Sequence, residues 1–442
     1  MKKIISLIFA FSFIITLCGC SENKTATKSG AKTESNAAVT ENRLGLLEAS
    51  PSSDCLFNYG LVAVKVGDKW GFINKNGEMV IEPQFEKSGK FYQGVYAANQ
   101  EDGTYRFMNT KGEWLTEPQR GMAAYFTEGY CYVRSVEEGE SQEKILKNMF
   151  IDSSGQVCLE LPDNSSSWPV YGGLIMVRTQ ERGLAIYTAE GEKLFELEGV
   201  HTFAGDESTY QLFYDGLLCV EKDGKWGAVN KKGEWVIEPQ FDRMEYFENG
   251  ISRAKFGDYQ GYVDTTGKWV IEPQYKPDYD NFSEGLVAAQ TENWSGYIDA
   301  KGNRVITISG YEYVIGTEFK GGVAAVNTSD GSGIIDKNGN WVLSPTYRFI
   351  SQFNCGVAAV EVNFKQHGYI DSSGKLITDA IYRSTQRFYD DGYGVAQKEN
   401  GKWVIVDTQG KVIIDGEFDG IGNYYTSYND DGSFSGTSSS GR

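Results

Sequence analysis

Two stretches of the chain say nearly the same thing. Residues 69–85 read KWGFINKNGEMVIEPQF and residues 225–241 read KWGAVNKKGEWVIEPQF. A chain that repeats a phrase of this length builds its core by stacking copies of one unit, because a single short unit cannot bury its own apolar face. The same grammar recurs throughout. A glycine and a short apolar run come first, then a Trp-Gly or similar pair, an Asp/Asn-x-x-Gly turn, and an apolar run that often ends in Glu-Pro-Gln. The starting glycines are Gly60, Gly94, Gly129, Gly173, Gly216, Gly250, Gly285, Gly322, Gly356 and Gly394. Their spacing is 34 to 38 residues, except for steps of 44 and 43 on either side of Gly173. About ten three-stranded units therefore fill residues 56–420, degenerate between 129 and 215.

The turn is the most regular element. Its glycines are Gly77, Gly112, Gly155, Gly191, Gly233, Gly267, Gly302, Gly339, Gly374 and Gly410, each preceded by Asp or Asn three positions earlier except at Thr188. An Asp or Asn side chain caps the turn and glycine supplies the left-handed residue, so each site reads as a hairpin. A calcium loop at Asp336-Lys337-Asn338-Gly339-Asn340 is disfavoured, because the sixth-position glycine and the distal glutamate of an EF-hand are missing. The flanking strands are apolar on both faces, as in Val80-Ile81 and Trp235-Val236-Ile237, so neighbouring units cover each sheet on both sides. Glycine inside a strand marks a close approach. At Gly71, Gly227, Gly261, Gly296, Gly333 and Gly368 the expected neighbour is an aromatic ring. Glu82, Glu117, Glu238 and Glu272, each followed by proline, mark exposed strand ends.

The segments KWGFINKNG, KWGAVNKKG and GKWVIEPQ resemble the WG-containing repeat family. The resemblance spans roughly residues 56–420 and weakens in the third and fourth copies; Tyr105-Arg106 and Trp403-Val404 replace the pair elsewhere. It implies short β repeats in bacterial, often exported, proteins and carries over no catalytic residues. The expected fold is all-β, with an open solenoid or superhelix favoured by three strands per unit and uneven spacing. A closed propeller-like ring is the alternative.

The ends of the chain differ from the repeats. Lys2 and Lys3, the apolar run Ile4–Leu17 and the sequence Leu17-Cys18-Gly19-Cys20 have the layout of a signal peptide and resemble a bacterial lipobox. Residues 1–19 are then the signal, Cys20 the acylated first residue, 20–55 a flexible spacer and 421–442 a flexible tail. Without Lys2 and Lys3 the mature chain carries 40 basic and 60 acidic side chains. Such a surface repels nucleic acid and anionic membrane, so membrane attachment is through the lipid only.

Five cysteines remain, at 55, 131, 158, 219 and 355, with no C-x-x-C pair, so neither a disulfide framework nor a zinc cluster is indicated. His201 and His367 are the only histidines and stand in unrelated contexts. No triad, nucleophile elbow or phosphate loop is present, and no metal or cofactor is expected. The function expected is binding or scaffolding at the cell envelope by a monomer, not catalysis. Its partner would be an unknown envelope protein or polysaccharide. The alternative is a carbohydrate-active or other envelope enzyme using paired carboxylates. The inserts between Gly129 and Gly216 suggest where a partner binds, and Trp168 and Tyr171 in the second insert are the candidate contacts.

Overall fold

The computed structural model describes residues 44–48, 54–138, 143–162, 165–179, 183–202, 211–276, 281–379 and 381–422. Cys20 and the tail beyond Gly422 lie outside them. One repeat shows how the sequence becomes structure. Ile251–Phe256 pairs antiparallel with Tyr259–Asp264 from Ile251↔Asp264 to Phe256↔Tyr259, around the tip Gly257-Asp258. At the far end the Asp264 carboxylate accepts the N–H groups of Thr266 (2.8 Å) and Lys268 (3.1 Å), and Asp264 O accepts Gly267 N–H (2.9 Å). The chain then returns as Trp269–Tyr275, alternately buried and exposed. The same two side-chain bonds recur at Asn74, Asn109, Asp152, Asn230, Asp299, Asp336, Asp371 and Asp407, as the turn reading requires. Thr188 makes only the bond to Glu192 N–H, at 3.2 Å.

The intra-strand glycine and the Glu-Pro pair belong to one device. Pairing runs Tyr262↔Ile271 and then Gln260↔Tyr275, so four residues of the third strand oppose two of the second. The excess bulges at Glu272-Pro273 and lies on Gly261. A Cβ there would stand 2.9 Å from Pro273 N and closer still to the Ile271 carbonyl oxygen. Gly71 meets Pro83, Gly227 meets Pro239 and Gly333 meets Pro345 in the same way. The close approach is therefore mainly backbone, not the aromatic ring expected from sequence; Trp294 near Gly296 and Trp341 near Gly333 add rings at two positions.

The units are not three-stranded. Among the described residues there are nine sheets, six of them four-stranded. The added strand is the continuation of the preceding repeat. After Phe241, Asp242 N–H bonds Lys255 O (3.0 Å) and Arg243–Met244 pairs with Lys255 and Ala254 of the next repeat. Ser166–Ser167, Val200–His201, Val314–Gly316, Phe349–Ile350 and Ser384–Thr385 do the same. In one place the hand-over is unbroken: Gln119–Thr127 pairs with the second repeat and then the third, giving one six-stranded sheet.

The last repeat hands over to the first. Gly420–Ile421 pairs with Lys65 and Val64, and Gly422 N–H bonds Ala63 O (2.8 Å). Val62, Val64 and Ile73 share one core with Ile405, Ile414 and Phe418. Turn glycines repeat this closure: Gly112 abuts Ile81 of the preceding repeat, Gly267 abuts Ile237, Gly302 abuts Ile271, and Gly77 of the first repeat abuts Ile414 of the last. The protein is a closed β-propeller, not the open array that three strands per unit favoured. The short strand that joins the last repeat to the first is of the same kind as those that join most neighbouring repeats.

The capped turns make stability pH-dependent. Hydrogen bonds from Thr266, Asn303 and Asn340, respectively, hold the carboxyls of Asp264, Asp299 and Asp336 below the usual range. A carboxylate with a depressed folded pKa contributes stability that is complete above its unfolded value, about 3.9, and is lost as pH falls. Melting temperature should therefore be level near neutrality and drop below about pH 4. The triple variant Asp264→Asn/Asp299→Asn/Asp336→Asn should keep the neutral melting point, since asparagine already serves at 74, 109 and 230, and should show a shallower acid limb. An unchanged acid limb would contradict this origin.

Candidate binding face

Each first strand is entered through a tight turn, and these turns share one end of the propeller with the capped Asp/Asn turns; the hairpin tips lie at the other. Pairs such as Asn58↔Leu61, Tyr92↔Val95, Tyr214↔Leu217 and Glu248↔Ile251 enclose two residues. The first has φ between 48° and 54° at Tyr59, Gln93, Glu128, Asp215, Asn249, Glu284 and Cys355, and the second is the starting glycine, also at positive φ. Two consecutive left-handed residues define a type I′ hairpin, which is why these copies begin with glycine; the last copy differs, since Gly394 lies inside the strand Tyr393–Gln397 and Gly392 supplies the positive φ.

Side chains at the first turn position reach the next repeat. Gln93 Oε1 accepts Gly129 N–H (2.6 Å), Glu128 accepts those of Gly172 and Gly173 (2.7 and 2.6 Å), Asp215 that of Gly250 (2.7 Å) and Glu284 that of Gly321 (2.7 Å). At the junction of last and first repeats, Asp391 accepts the N–H groups of Leu56 and Phe57, both at 3.0 Å. Burial pushes the Asp391 carboxyl up, and these two bonds oppose it.

Just before these turns, side chains from successive repeats meet. Tyr92 stacks on Tyr125 with centroids 4.1 Å apart, and Tyr214 lies 4.6 Å from Tyr246. Asn281 donates to Tyr246 Oη (2.8 Å), and Gln352 donates to Glu318 (2.7 Å). Arg387 donates to both oxygens of Asp54 (3.0 Å each). Charge is unevenly distributed. Lys90, its pKa lowered by burial against the pull of Asp54, lies with Arg387 on the arc where the ends meet. Glu248, pushed up by burial and then by Glu318 and Asp215, marks an acidic arc of repeats five to eight.

The chain's own N-terminal segment crosses this face. Leu44 is buried among Val95, Phe107 and Phe126, and its N–H bonds Ser153 O (3.1 Å). Leu47 exchanges two bonds with Gln93, and Tyr59 Oη donates to Glu48 O. Part of the segment expected to be a spacer is thus fixed to the propeller, because Leu44 and Leu46 find apolar cover while Leu47, exposed, is held through its backbone.

The two expected contact residues are not presented together. Tyr171 is 5 % exposed, packs in a core with Met176 and Leu218, and pairs with Leu174, so it occupies the turn position of Tyr92 and Tyr214. Trp168 is partly buried against that core with the Arg178 guanidinium 5.0 Å from its ring centroid. The insert around them supplies the hand-over strand Ser166–Ser167 and the buried Val170. Cys131 and Cys219 are buried, and burial pushes their thiols up. His367 N–H bonds Tyr382 O (3.0 Å), and burial lowers its pKa. Among the described residues no three side chains are grouped to hold a metal ion.

A closed ring of handed-over sheets with one turn per repeat at a common end defines a tandem-repeat β-propeller. The chain belongs to the WG containing repeat family: residues 70–105, 105–135, 226–259, 261–293, 333–365, 368–403 and 405–428 match it, together more than half of the chain. No curated protein matches. Similar solved structures include a eukaryotic initiation factor, with 13% identity, 82% of this chain and 96% of that chain covered and a TM-score of 0.46. The computationally designed Ika8 protein shows 11% identity over 65% and 93% of the chains, TM-score 0.32. BamB from Moraxella catarrhalis shows 12% over 74% and 92%, TM-score 0.32.

Proposed function

We propose that this propeller is a binding or scaffolding module, exported and held at the envelope by a lipid on Cys20, and that its turn end is the working surface. The observation that carries the reading is the convergence there of side chains from successive repeats, with Tyr214, Tyr246, Asn281, Glu318 and Gln352 coming from five of them. A surface composed from many repeats on a rigid closed scaffold suits recognition, since loops do the binding while the sheets hold them in place. The anchor rests on the lipobox-like Leu17-Cys18-Gly19-Cys20 and the apolar run before it.

One strain pair tests both parts. Cys20→Ala should move the protein from the carbonate-washed membrane fraction to the soluble fraction, and the released chain, used as bait on solubilised envelope, should capture a partner that heat-denatured bait does not. Continued sedimentation with membranes would overturn the anchor. Equal capture by native and denatured bait would overturn the binding role.

A further inference from the structure

Turn amides at this end are capped by carboxylates from the repeat before. Glu128 accepts Gly172 N–H and Gly173 N–H at 2.7 and 2.6 Å, and Glu284 accepts Gly321 N–H at 2.7 Å and Gly322 N–H at 3.2 Å. Successive turn amides of this kind form a concave nest for an anion. In the eighth repeat a cation completes it: Lys337 Nζ donates to Glu284 O (2.8 Å) and lies 3.6 Å from the Glu284 carboxylate.

The turn of the fifth repeat has the same frame and no such cap. Asp215 and Gly216 have φ of 50° and 81°, as Gly321 and Gly322 have 64° and 81°. Lysine follows the capping Asn or Asp in three repeats, as Lys75, Lys231 and Lys337. Lys337 faces Glu284, and Lys75 acts on the Asp391 carboxylate that accepts Leu56 and Phe57 N–H. The residue standing toward Lys231 and the fifth turn as Glu284 stands toward Lys337 and the eighth is Gly172, which has no side chain. A Cβ on Gly172 would meet nothing within 4 Å, so there is room for one. Among the described residues, nothing accepts Gly216 N–H or pairs with Lys231, and the Asp215 carboxylate is engaged by Gly250 N–H (2.7 Å). The ninth turn is also preceded by a glycine, Gly321. There, however, Cys355 N–H bonds Asn354 Oδ1 (3.2 Å) and Ser372 takes the place of the lysine.

We infer that the Asp215 and Gly216 amides, together with Lys231, bind the carboxylate of a glutamate side chain presented by a partner protein, in place of the carboxylate that residue 172 lacks. The inference rests on the binding reading above and names the group recognised. A glutamate is favoured over a terminal carboxylate or a uronic acid because glutamates of this chain fill two equivalent turns. Two amides and an ammonium give both carboxylate oxygens charge-assisted bonds.

The test uses the released full chain, isotope-labelled at aspartate carbonyl carbons and glycine nitrogens so that only Asp-Gly amides are observed by NMR. The Gly216 signal is the one missing from the Asp215→Asn variant. N-acetylglutamate amide, which carries only the side-chain carboxylate, should move this signal saturably, and N-acetylglutamine amide should not. Lys231→Gln should weaken binding about tenfold, as losing a hydrogen bond to a charged group does. Added salt should weaken binding by wild type. Gly172→Glu should supply the carboxylate within the chain, so that the Gly216 signal is shifted at the outset and no longer responds. Gln93, Glu128, Asp215 and Glu284 occupy the same turn position at φ of 48° to 51°, so this variant should melt no lower than wild type. A Gly216 signal indifferent to N-acetylglutamate amide, an equal response to the glutamine compound, or undiminished binding by Lys231→Gln would each overturn the inference. So would a response to N-acetylglycine or trigalacturonate with none to N-acetylglutamate amide. In the envelope capture, Gly172→Glu should lose the partner; a partner retained by that variant would sink this inference and leave the binding role standing.

Discussion

Gly261→Ala is expected to destabilise the protein by about 3 kcal/mol, at the upper end of what overpacking costs. No left-handed conformation is involved at this position, so the cost is steric alone. The new methyl would stand 2.9 Å from both Glu272 C and Pro273 N, main-chain atoms that cannot swing aside. Relief requires flattening the bulge, yet the bulge sets the register that places Tyr275 opposite Gln260, and Tyr275 is buried against the next repeat with Val287 and Ile298. The strain therefore reaches the junction between repeats. Gly257→Ala at the exposed tip is the control. Nothing lies within 4 Å there and only the positive φ of 63° is penalised, for about 1 kcal/mol. Denaturant melts of the two variants decide the matter: a loss at Gly261 no larger than at Gly257 would mean that the bulge does not lean on the glycine.

That pairing of Gly261 with Pro273 marks the boundary of what the sequence made legible. Repeat length and the capped turns follow from spacing and residue type, and the structure shows both; cover on both faces holds for the first two strands of a repeat but not for the third, where Val80 and Val236 are exposed. Trp-Gly and Glu-Pro are equally visible in the sequence, but the contact between them is not, because it depends on four residues opposing two across a bulge. Closure was hidden for a related reason. The hand-over strands Arg243–Met244, Phe349–Ile350 and Gly420–Ile421 are only two residues long and share no residue type at the first position, and backbone atoms make their pairing.

The turn end was half legible. Gln93, Glu128, Asp215, Asn249 and Glu284 all stand directly before a starting glycine, a regular acid or amide signal that could have located the turn end. Trp168 and Tyr171 drew notice because their segment lengthens the spacing. Pairing with Leu174 puts Tyr171 back in register as a core residue. Leu44, Leu46 and Leu47 were the signal for the fixed N-terminal segment, apolar residues too closely grouped for a spacer.

Closure is the claim on which the shared turn end depends, and a distance across the junction tests it most directly. Asp68 and Glu417 are exposed and lie next to Gly67 and two residues before Asp419, which are joined by a 2.9 Å hydrogen bond. Nitroxides on p-acetylphenylalanine at these two positions leave the native thiols untouched. Each site is within two residues of the bond at about 3.3 Å per residue, so double electron–electron resonance should give one short population near 20 Å. In an open array, nine steps between sheets packed about 10 Å apart would part the labels by on the order of 90 Å. A dominant distance beyond the short range, in protein that still melts cooperatively, would contradict the closed propeller and with it the common face.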